Sequence, residues 1–194
     1  MTTNTKPNAA ALRWQVLQTD HPYRNKTLAL RVDRVAVPDG KEMDYAYLER
    51  APAVIIVPVT RDSQIVTVNQ YRYPVDEWCV EVPAGGTHDT GDASLEEVVR
   101  KELGEEIGAT CGALTRVGSF FTAPSSSDEK CHVFLAENVE VTREPDTEPS
   151  EEIKVQLFAA EDVVKMARNG RMKDSPCTLA VLLCEPLLRE RGYI

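Results

Sequence analysis

Glutamates are the residues of this chain whose types and spacing best suit chemistry. Five of them fall in the thirteen residues from Leu95 to Ile107. Apolar residues recur there at every fourth position, which predicts an amphipathic helix that is capped by Asp92 or Ser94 and ends at Gly108. Carboxylates held by a helix can ligate a cation or move a proton. The sequence therefore predicts that this acidic helix carries the chemistry of the chain.

Helix spacing divides these five glutamates into two groups. Glu96, Glu97 and Glu105 each lie four residues from an arginine or a lysine, so they have partners for surface ion pairs. Glu102 and Glu106 have no basic residue at such spacings and lie four residues from each other, and this like-charged pair costs about 0.2–0.5 kcal/mol. A divalent cation would convert the repulsion into a binding site. Carboxylate ligands without Cys or His nearby predict Mg²⁺, or Mn²⁺, rather than zinc, and the alternative is a solvated acidic face.

The segment before the helix could bring backbone atoms to the same place. Residues 78–82 predict a short strand, which Pro83 to Gly86 interrupt. Because glycine lets a backbone approach a ligand closely, a main-chain carbonyl of this segment could join the carboxylate cluster. Strand, loop and helix together predict one site.

The composition of the whole chain excludes several other functions. Its 194 residues carry a formal net charge of -9, which argues against binding to nucleic acid or to anionic membranes, because both need a basic face. Five cysteines without a Cys-x-x-Cys spacing argue against a disulfide framework or a zinc site. Three separated histidines give no support to a histidine-based triad or metal site. No apolar run reaches about eighteen residues, so we expect a cytoplasmic protein.

The remaining pattern predicts an α+β protein whose helices pack on a layered sheet. We expect residues 1–11 to be a disordered tail, residues 12–50 to form an N-terminal β region and residues 51–194 to form the main domain. The N-terminal strands are expected at 14–17, 27–37 and 45–48. In the main domain, strands 54–57 and 65–71 predict a central hairpin. Further strands are expected at 114–121, 131–136 and 153–158, and helices at 161–168 and 178–189.

The acidic helix also carries a sequence resemblance. Gly86-x5-Asp92-x8-Lys101-Glu102-Leu103-x-Glu105-Glu106-x-Gly108-Ala109 resembles the Nudix box, G-x5-E-x7-R-E-U-x-E-E-x-G-U. This chain departs from the pattern at Asp92, at Lys101 and by one extra residue between them. An insertion within the helix would rotate the glutamates by about 100°. We therefore place the extra residue in the loop before Leu95.

The resemblance extends from about Trp14 to Leu188 and is greatest to the ADP-ribose pyrophosphatase branch of Nudix hydrolases. Matching segments begin at Gln70, Glu81, Ala123 and Glu151. The resemblance implies a Nudix-type α/β/α sandwich with a mixed sheet, plus a small N-terminal sheet that forms a homodimer. Pro124 stands close to the place where this branch carries a proline that helps to mark ADP-ribose as the substrate.

Site residues follow from the resemblance position by position. It implies that the metal ligands are Glu102, Glu106, Glu151 and the carbonyl of Ala84. Glu105 is implied as a further ligand or an orienting carboxylate, and Glu148 as the general base, with Glu151 and Glu152 as alternates. On the substrate side, Arg72 could hold a phosphate through two hydrogen bonds. Further substrate contacts are expected from Tyr71 or Trp78, from Glu81 and from Pro124.

The implied activity is the Mg²⁺-dependent hydrolysis of ADP-ribose to AMP and ribose 5-phosphate. Two alternatives stay open from the sequence. One is the same chemistry on GDP-mannose or another sugar nucleotide, and the other is a non-catalytic Nudix domain that senses a ligand. In each case the expected partner is a small nucleotide sugar.

Overall fold

The computed structural model describes residues 6–146 and 152–194, and their internal contacts divide the chain into two compact units. The first unit contains Met1–Ala51 and Ala123–Glu129, and the second contains Pro52–Thr122 and Lys130–Ile194. The segment Ala123–Glu129 thus joins the N-terminal strands, although it lies far from them in sequence. Its Ser126 carbonyl accepts a hydrogen bond from the amide of Leu48.

The first unit is a three-stranded antiparallel sheet. Its elements are α1 (Pro7–Ala11), β1 (Gln15–Arg24), β2 (Leu28–Ala36) and β3 (Glu42–Arg50), and the strand order is β1-β2-β3. The three expected strands are confirmed, but the expectation that the first ends at residue 17 is wrong. β1 continues through Pro22, which an edge strand tolerates, and the register shift between Asp20 and Tyr23 accommodates it. Within the expected disordered tail, the described residues include the short helix α1.

The second unit is built on a mixed sheet of seven strands. The first four are β4 (Ala53–Val59), β5 (Gln64–Arg72), β6 (Glu77–Glu81) and β7 (Ala84–Gly86). After α2 (Leu95–Ile107) and β8 (Ala109–Thr110) come β9 (Leu114–Phe121), β10 (Lys130–Glu137), β11 (Glu140–Val141) and β12 (Ile153–Ala159). The chain ends with α3 (Ala160–Arg168) and α4 (Ser175–Glu190). The main path of the sheet is β12-β5-β4-β10-β9, while β8 and β11 form a separate pair.

The central hairpin is the main difference from the expected fold. Strands β4 and β5 face each other only next to their turn, at Val59 and Ile65. Beyond that point β7 pairs with β4 and β6 pairs with β5, so the two strands diverge. On its other side β4 is parallel to β10 along its whole length. The apolar run in β4 suits a parallel strand that is buried on both faces.

Helices cover both faces of this sheet. One apolar core lies between the sheet and helices α3 and α4, and it includes Ile55, Val133 and Ala180. The other lies between the sheet and α2, and it includes Val54 and Leu103. The prediction of an α+β sandwich around a mixed sheet is confirmed. In the described part of the chain, no helix is both long and apolar enough to span a bilayer.

Candidate metal and substrate site

Helix α2 is fixed at its N-terminus by a reciprocal cap. The Ser94 hydroxyl accepts from the Glu97 amide at 3.3 Å, and the Glu97 carboxylate accepts from the Ser94 amide at 2.7 Å. This arrangement confirms Ser94 as the cap and places the extra residue of the motif in the preceding loop. It also corrects the expected pairing, because Glu97 contacts Ser94 instead of Lys101. Arg100 likewise donates to the Cys111 carbonyl, at 3.3 Å, and not to Glu96.

The C-terminus of α2 holds the start of the acidic loop. Gly108 has φ +61°, and a β-carbon there would lie 1.9 Å from the Arg143 carbonyl oxygen. The Arg143 guanidinium donates to the Gly104 carbonyl at 3.0 Å, and the Asp146 amide donates to the Glu105 carbonyl at 2.8 Å. A glycine at 108 is therefore required for the loop to pack against the last turn of the helix.

Glu102 lies against the bare backbone of Gly85. The residue is 8% exposed, and a β-carbon on Gly85 would lie 2.1 Å from the Glu102 carboxyl carbon. Its ion-pair partner among the described residues is Lys101, whose ammonium is 3.5 Å away, so the expectation that it has no partner is wrong. Burial raises the pKa of Glu102, and Lys101 opposes that shift only in part.

Glu106 lies one helical turn further on and reaches the same segment. Its carboxylate accepts a hydrogen bond from the Ala84 amide at 3.1 Å, which also corrects the expectation that it has no partner. Ala84 is adjacent to Gly85 in β7. The structure thus brings Glu106 to the Ala84 amide and Glu102 to the neighbouring Gly85.

Lys101 joins three acids around this cluster. Its ammonium lies 2.9 Å from Glu105, 3.5 Å from Glu102 and 3.6 Å from Asp89 in the preceding loop. These acids raise the pKa of Lys101, with Glu105 the largest cause. The prediction that Glu105 pairs with Lys101 is confirmed. Asp89 was not singled out from the sequence, because no local spacing connects a loop residue to a helix twelve positions away.

These residues suit a hard divalent cation. Carboxylate oxygens and a main-chain carbonyl are the ligands that Mg²⁺ accepts, and the glycine cradle leaves room for the Glu102 carboxylate in the sheet. Glu148 and Glu151, expected as base and ligand, lie outside the described residues. The residues that flank them are placed, since Asp146 donates to Glu105 and the Glu152 carbonyl accepts from the Tyr71 amide at 3.4 Å.

Arg72 and Glu81 form a two-bond ion pair. Arg72 Nε is 2.8 Å from Glu81 Oε1, and Arg72 Nη2 is 2.5 Å from Glu81 Oε2. Glu81 is 1% exposed, whereas Arg72 lines a cavity of about 420 Å³. Burial raises the pKa of Glu81 and Arg72 opposes that rise. Arg72 can contact a ligand, while Glu81 is covered by Arg72.

The expected aromatic contacts occupy the same hairpin as Arg72. The rings of Tyr71 and Trp78 lie 5.9 Å apart, and the Tyr71 hydroxyl donates to Asp76 at 2.7 Å. Trp78 is exposed and Tyr71 is half-buried, so neither is a core residue. Pro124, by contrast, belongs to the first unit, in a turn closed by hydrogen bonds from the Ser126 and Ser127 amides to the Ala123 carbonyl.

The carboxylates of α2 lie against the Gly85 backbone and the Ala84 amide, and oxygen ligands of this kind suit a hard divalent cation. Residues 49–179 match the family model of the NUDIX domain, and the chain belongs to that family. It is 30% identical over 172 residues to the ADP-ribose pyrophosphatase of Bacillus subtilis, covering 88% of this chain and 92% of that protein.

Two further proteins are similar over most of their length. The methanol dehydrogenase activator of Bacillus methanolicus is 26% identical over 168 residues, covering 86% of this chain and 90% of that protein. A solved structure described as an ADP compounds hydrolase superposes with a TM-score of 0.79 at 18% identity, covering 93% of this chain and 97% of that one. The last likeness supports the fold.

Proposed function

We propose that this protein hydrolyses the pyrophosphate bond of ADP-ribose, or of a related nucleoside diphosphate sugar, with Mg²⁺ as its cofactor. The observation that carries the proposal is the Glu102 carboxylate on Gly85, beside Ala84 and one turn from Glu106. The substrate class is supported by the relative named ADP-ribose pyrophosphatase, which matches 88% of this chain. GDP-mannose or another sugar nucleotide is the alternative substrate.

The residues of the chain have distinct tasks in this reaction. Glu102, Glu106 and the Ala84 carbonyl would hold Mg²⁺ or Mn²⁺, with Glu151 as a further ligand. The ion would supply positive charge that neutralises phosphate oxygens and lowers the pKa of the attacking water. Glu105 holds Lys101, and Lys101 in turn lies beside Glu102, so Glu105 orients the ligand set.

We assign the general base to the acidic loop. Glu148 would take the proton from the attacking water, and Glu151 and Glu152 are the alternates. Support comes from the two flanks of the segment, which are tied to α2 at Glu105 and to β5 at Tyr71. Changing each glutamate singly to Gln and recording turnover against pH would identify the base, since only its loss removes the acidic limb of the profile.

The substrate side of the proposed site comprises Arg72, Tyr71, Glu81 and Pro124. Arg72 would donate to an oxygen of the phosphate or of a neighbouring polar group, and the Tyr71 and Trp78 pair offers an exposed aromatic surface for a base. Glu81 would act through Arg72, because the guanidinium covers it. Pro124 stays a substrate contact proposed from the sequence.

A panel of nucleotide sugars tests this function. Purified protein with Mg²⁺, and separately with Mn²⁺, should cleave ADP-ribose to AMP and ribose 5-phosphate faster than it cleaves GDP-mannose. Faster cleavage of GDP-mannose would move the assignment to the alternative substrate. Binding of ADP-ribose without any cleavage would support the non-catalytic sensing domain.

We further propose a homodimer formed through residues 12–50. Within the first unit, strands β1 and β3 expose apolar side chains at Val16, Leu17, Tyr23, Met43 and Tyr45, which a second copy could cover. Light scattering at micromolar concentration should return twice the chain mass, and a monomer would contradict the proposal. A cytoplasmic location is proposed as well, supported by five cysteines that all stay unpaired in the structure.

A further inference from the structure

The Arg72 and Glu81 pair lies beside the proposed metal site without belonging to it. Glu81 ends β6, and Ala84 follows three residues later. The cavity next to the pair is lined by Arg72 and Glu81, by Pro74, Val75, Glu77 and Cys79, and by Lys173, Asp174 and Ser175. Arg72 is therefore within reach of a ligand in this cavity.

The geometry of the pair fixes which atom of Arg72 can meet a ligand. Nε and Nη2 are both directed at the carboxylate of Glu81, one to each oxygen. Within the described residues, Nη1 carries no hydrogen bond. Because the guanidinium is planar, holding two of its nitrogens on one carboxylate also fixes the direction in which the third one points.

Burial explains why the pair is rigid. The side chain of Glu81 is 2% exposed, and that of Arg72 is 43% exposed. A buried carboxylate without its cation would be costly, so Arg72 stays engaged even though half of it faces water. The charges of Arg72 and Glu81 offset each other. Arg72 therefore offers a ligand a directed hydrogen-bond donor, and it adds little long-range attraction for an anion.

Asp174 and Cys177 lie near the carboxylate end of the pair. Asp174 caps α4 by accepting from the Cys177 amide at 2.8 Å. The Cys177 thiol donates to the Val82 carbonyl at 3.6 Å, which ties α4 to the residue after Glu81. Glu81, Asp174 and Cys177 come within 4.8 Å of one another. Both Glu81 oxygens are already occupied by Arg72, so we assign this group a structural role.

We propose that Glu81 is a positioning residue, which holds Arg72 so that Nη1 donates to an oxygen of the nucleotide sugar in the cavity. This inference rests on the proposed function for its ligand. It differs from the expectation that Glu81 itself contacts the substrate, because the buried carboxylate already accepts from Arg72 at each of its oxygens. Arg72 touches the ligand, and Glu81 acts through Arg72.

A double-mutant cycle tests whether Glu81 works through Arg72. In Glu81→Gln the amide group presents a donor to one of the Arg72 nitrogens, so the two-bond geometry is lost. We expect KM for ADP-ribose to rise about tenfold in Arg72→Lys, which keeps the charge and loses the fork. Glu81→Gln should raise KM several-fold with little change in kcat, and adding it to Arg72→Lys should have no further effect.

A matched control comes from the other buried glutamate that arginines hold. Glu185 is 6% exposed and accepts from Arg168 and Arg189 on the α4 face. Glu185→Gln should leave KM unchanged. A full additional rise in KM when Glu81→Gln is combined with Arg72→Lys would overturn the proposal, as would an equal rise in Glu185→Gln.

A binding measurement separates this inference from the proposed function. Titration calorimetry with ADP-ribose in buffer that contains a chelator gives a dissociation constant that needs no turnover. If the wild type binds but does not hydrolyse, the proposed function fails, and the same variants still decide the role of Glu81. Unchanged dissociation constants in Arg72→Lys and Glu81→Gln would overturn the inference while hydrolysis stands. No binding by the wild type would overturn the inference, while hydrolysis in Mg²⁺ decides the proposed function.

Discussion

Two buried glutamates on helices face opposite sides of the same sheet, and their surroundings differ. Glu185 on α4 accepts from Arg168 at 2.6 Å and from Arg189 at 2.8 Å, and these hydrogen bonds hold its pKa below the usual value. Glu102 on α2 has the Lys101 ammonium 3.5 Å away, and burial raises its pKa. Each residue is less than a tenth exposed.

The difference indicates which carboxylate is structural. The protein compensates the charge of Glu185 with two guanidinium groups, so that residue needs nothing from outside the chain. Glu102 is placed on a glycine backbone where its charge is costly and only partly compensated. A carboxylate kept in such a place suits a cation that the chain does not itself supply.

The largest expected effect is on turnover. Glu102→Gln should lower kcat by about 1000-fold or more, because loss of a metal ligand removes several kcal/mol of charge stabilisation. Without metal, its free energy of unfolding should not fall. Glu185→Gln should show the reverse, with normal kcat and a loss of about 1–2 kcal/mol of stability, measured by denaturant titration. Normal turnover in Glu102→Gln would remove the metal assignment.

The second prediction concerns the glycine that cradles Glu102. A β-carbon at position 85 would lie 2.1 Å from the Glu102 carboxyl carbon, so Gly85→Ala must displace that side chain. We expect kcat to fall by about 10–100-fold, as a displacement of about 1 Å can cost this much. Gly118→Ala is the control, since nothing lies within 4 Å of its added carbon. Equal activity of the two variants would contradict the claim that Gly85 makes the room that the Glu102 carboxylate needs.

A third comparison uses metal binding in place of catalysis. Saturating Mg²⁺, at about one hundred times its dissociation constant, should stabilise the wild type by about 2.7 kcal/mol. In a chain of this size that corresponds to a rise in Tm of several degrees. Glu185→Gln should keep this rise in Tm and Glu102→Gln should lose it, as measured by calorimetry with and without a chelator. An undiminished rise in Glu102→Gln would place the ion elsewhere.

The sequence predicts the bounds of α2 better than it predicts the partners of its acidic side chains. The apolar period of four, Ser94 and Gly108 define the helix locally, so its bounds and the side-by-side position of Glu102 and Glu106 followed from spacing alone. The partners of those acids did not follow. Spacing predicts that Lys101 pairs with Glu97 and Glu105. The cap at Ser94 takes Glu97, and Lys101 instead contacts Asp89 and Glu102 as well as Glu105.

Contacts between distant elements account for the other differences. The divergence of β4 from β5 depends on β7 and β6, which pair with the edges that the two strands would otherwise share. The pairing of Arg72 with Glu81 depends on the register between β5 and β6. The local sequence pattern predicts neither the divergence of the strands nor this ion pair. The sequence therefore identified Arg72 and Glu81 as polar residues near a ligand and could not determine that one covers the other.

The smallest expected effect is on the pH dependence of stability without metal. A lowered pKa in the folded state makes the charge of Glu185 stabilising at neutral pH, and this contribution is lost as pH falls below about 4.5 through the folded value. The raised pKa of Glu102 has the opposite effect on stability. Its contribution is present below about pH 4.5 and is lost as pH rises through the folded value, so at neutral pH the charge opposes folding.

The two Gln variants should therefore diverge as pH rises. Between about pH 3.5 and pH 7, Glu185→Gln should lose stability relative to the wild type and Glu102→Gln should gain it, at about 1.4 kcal/mol for each unit of pKa difference. Free energies of unfolding from urea titrations in the presence of a chelator would measure both trends. Parallel trends would mean that the chain compensates Glu102 as fully as Glu185, and the contrast between the two faces would then have no electrostatic basis.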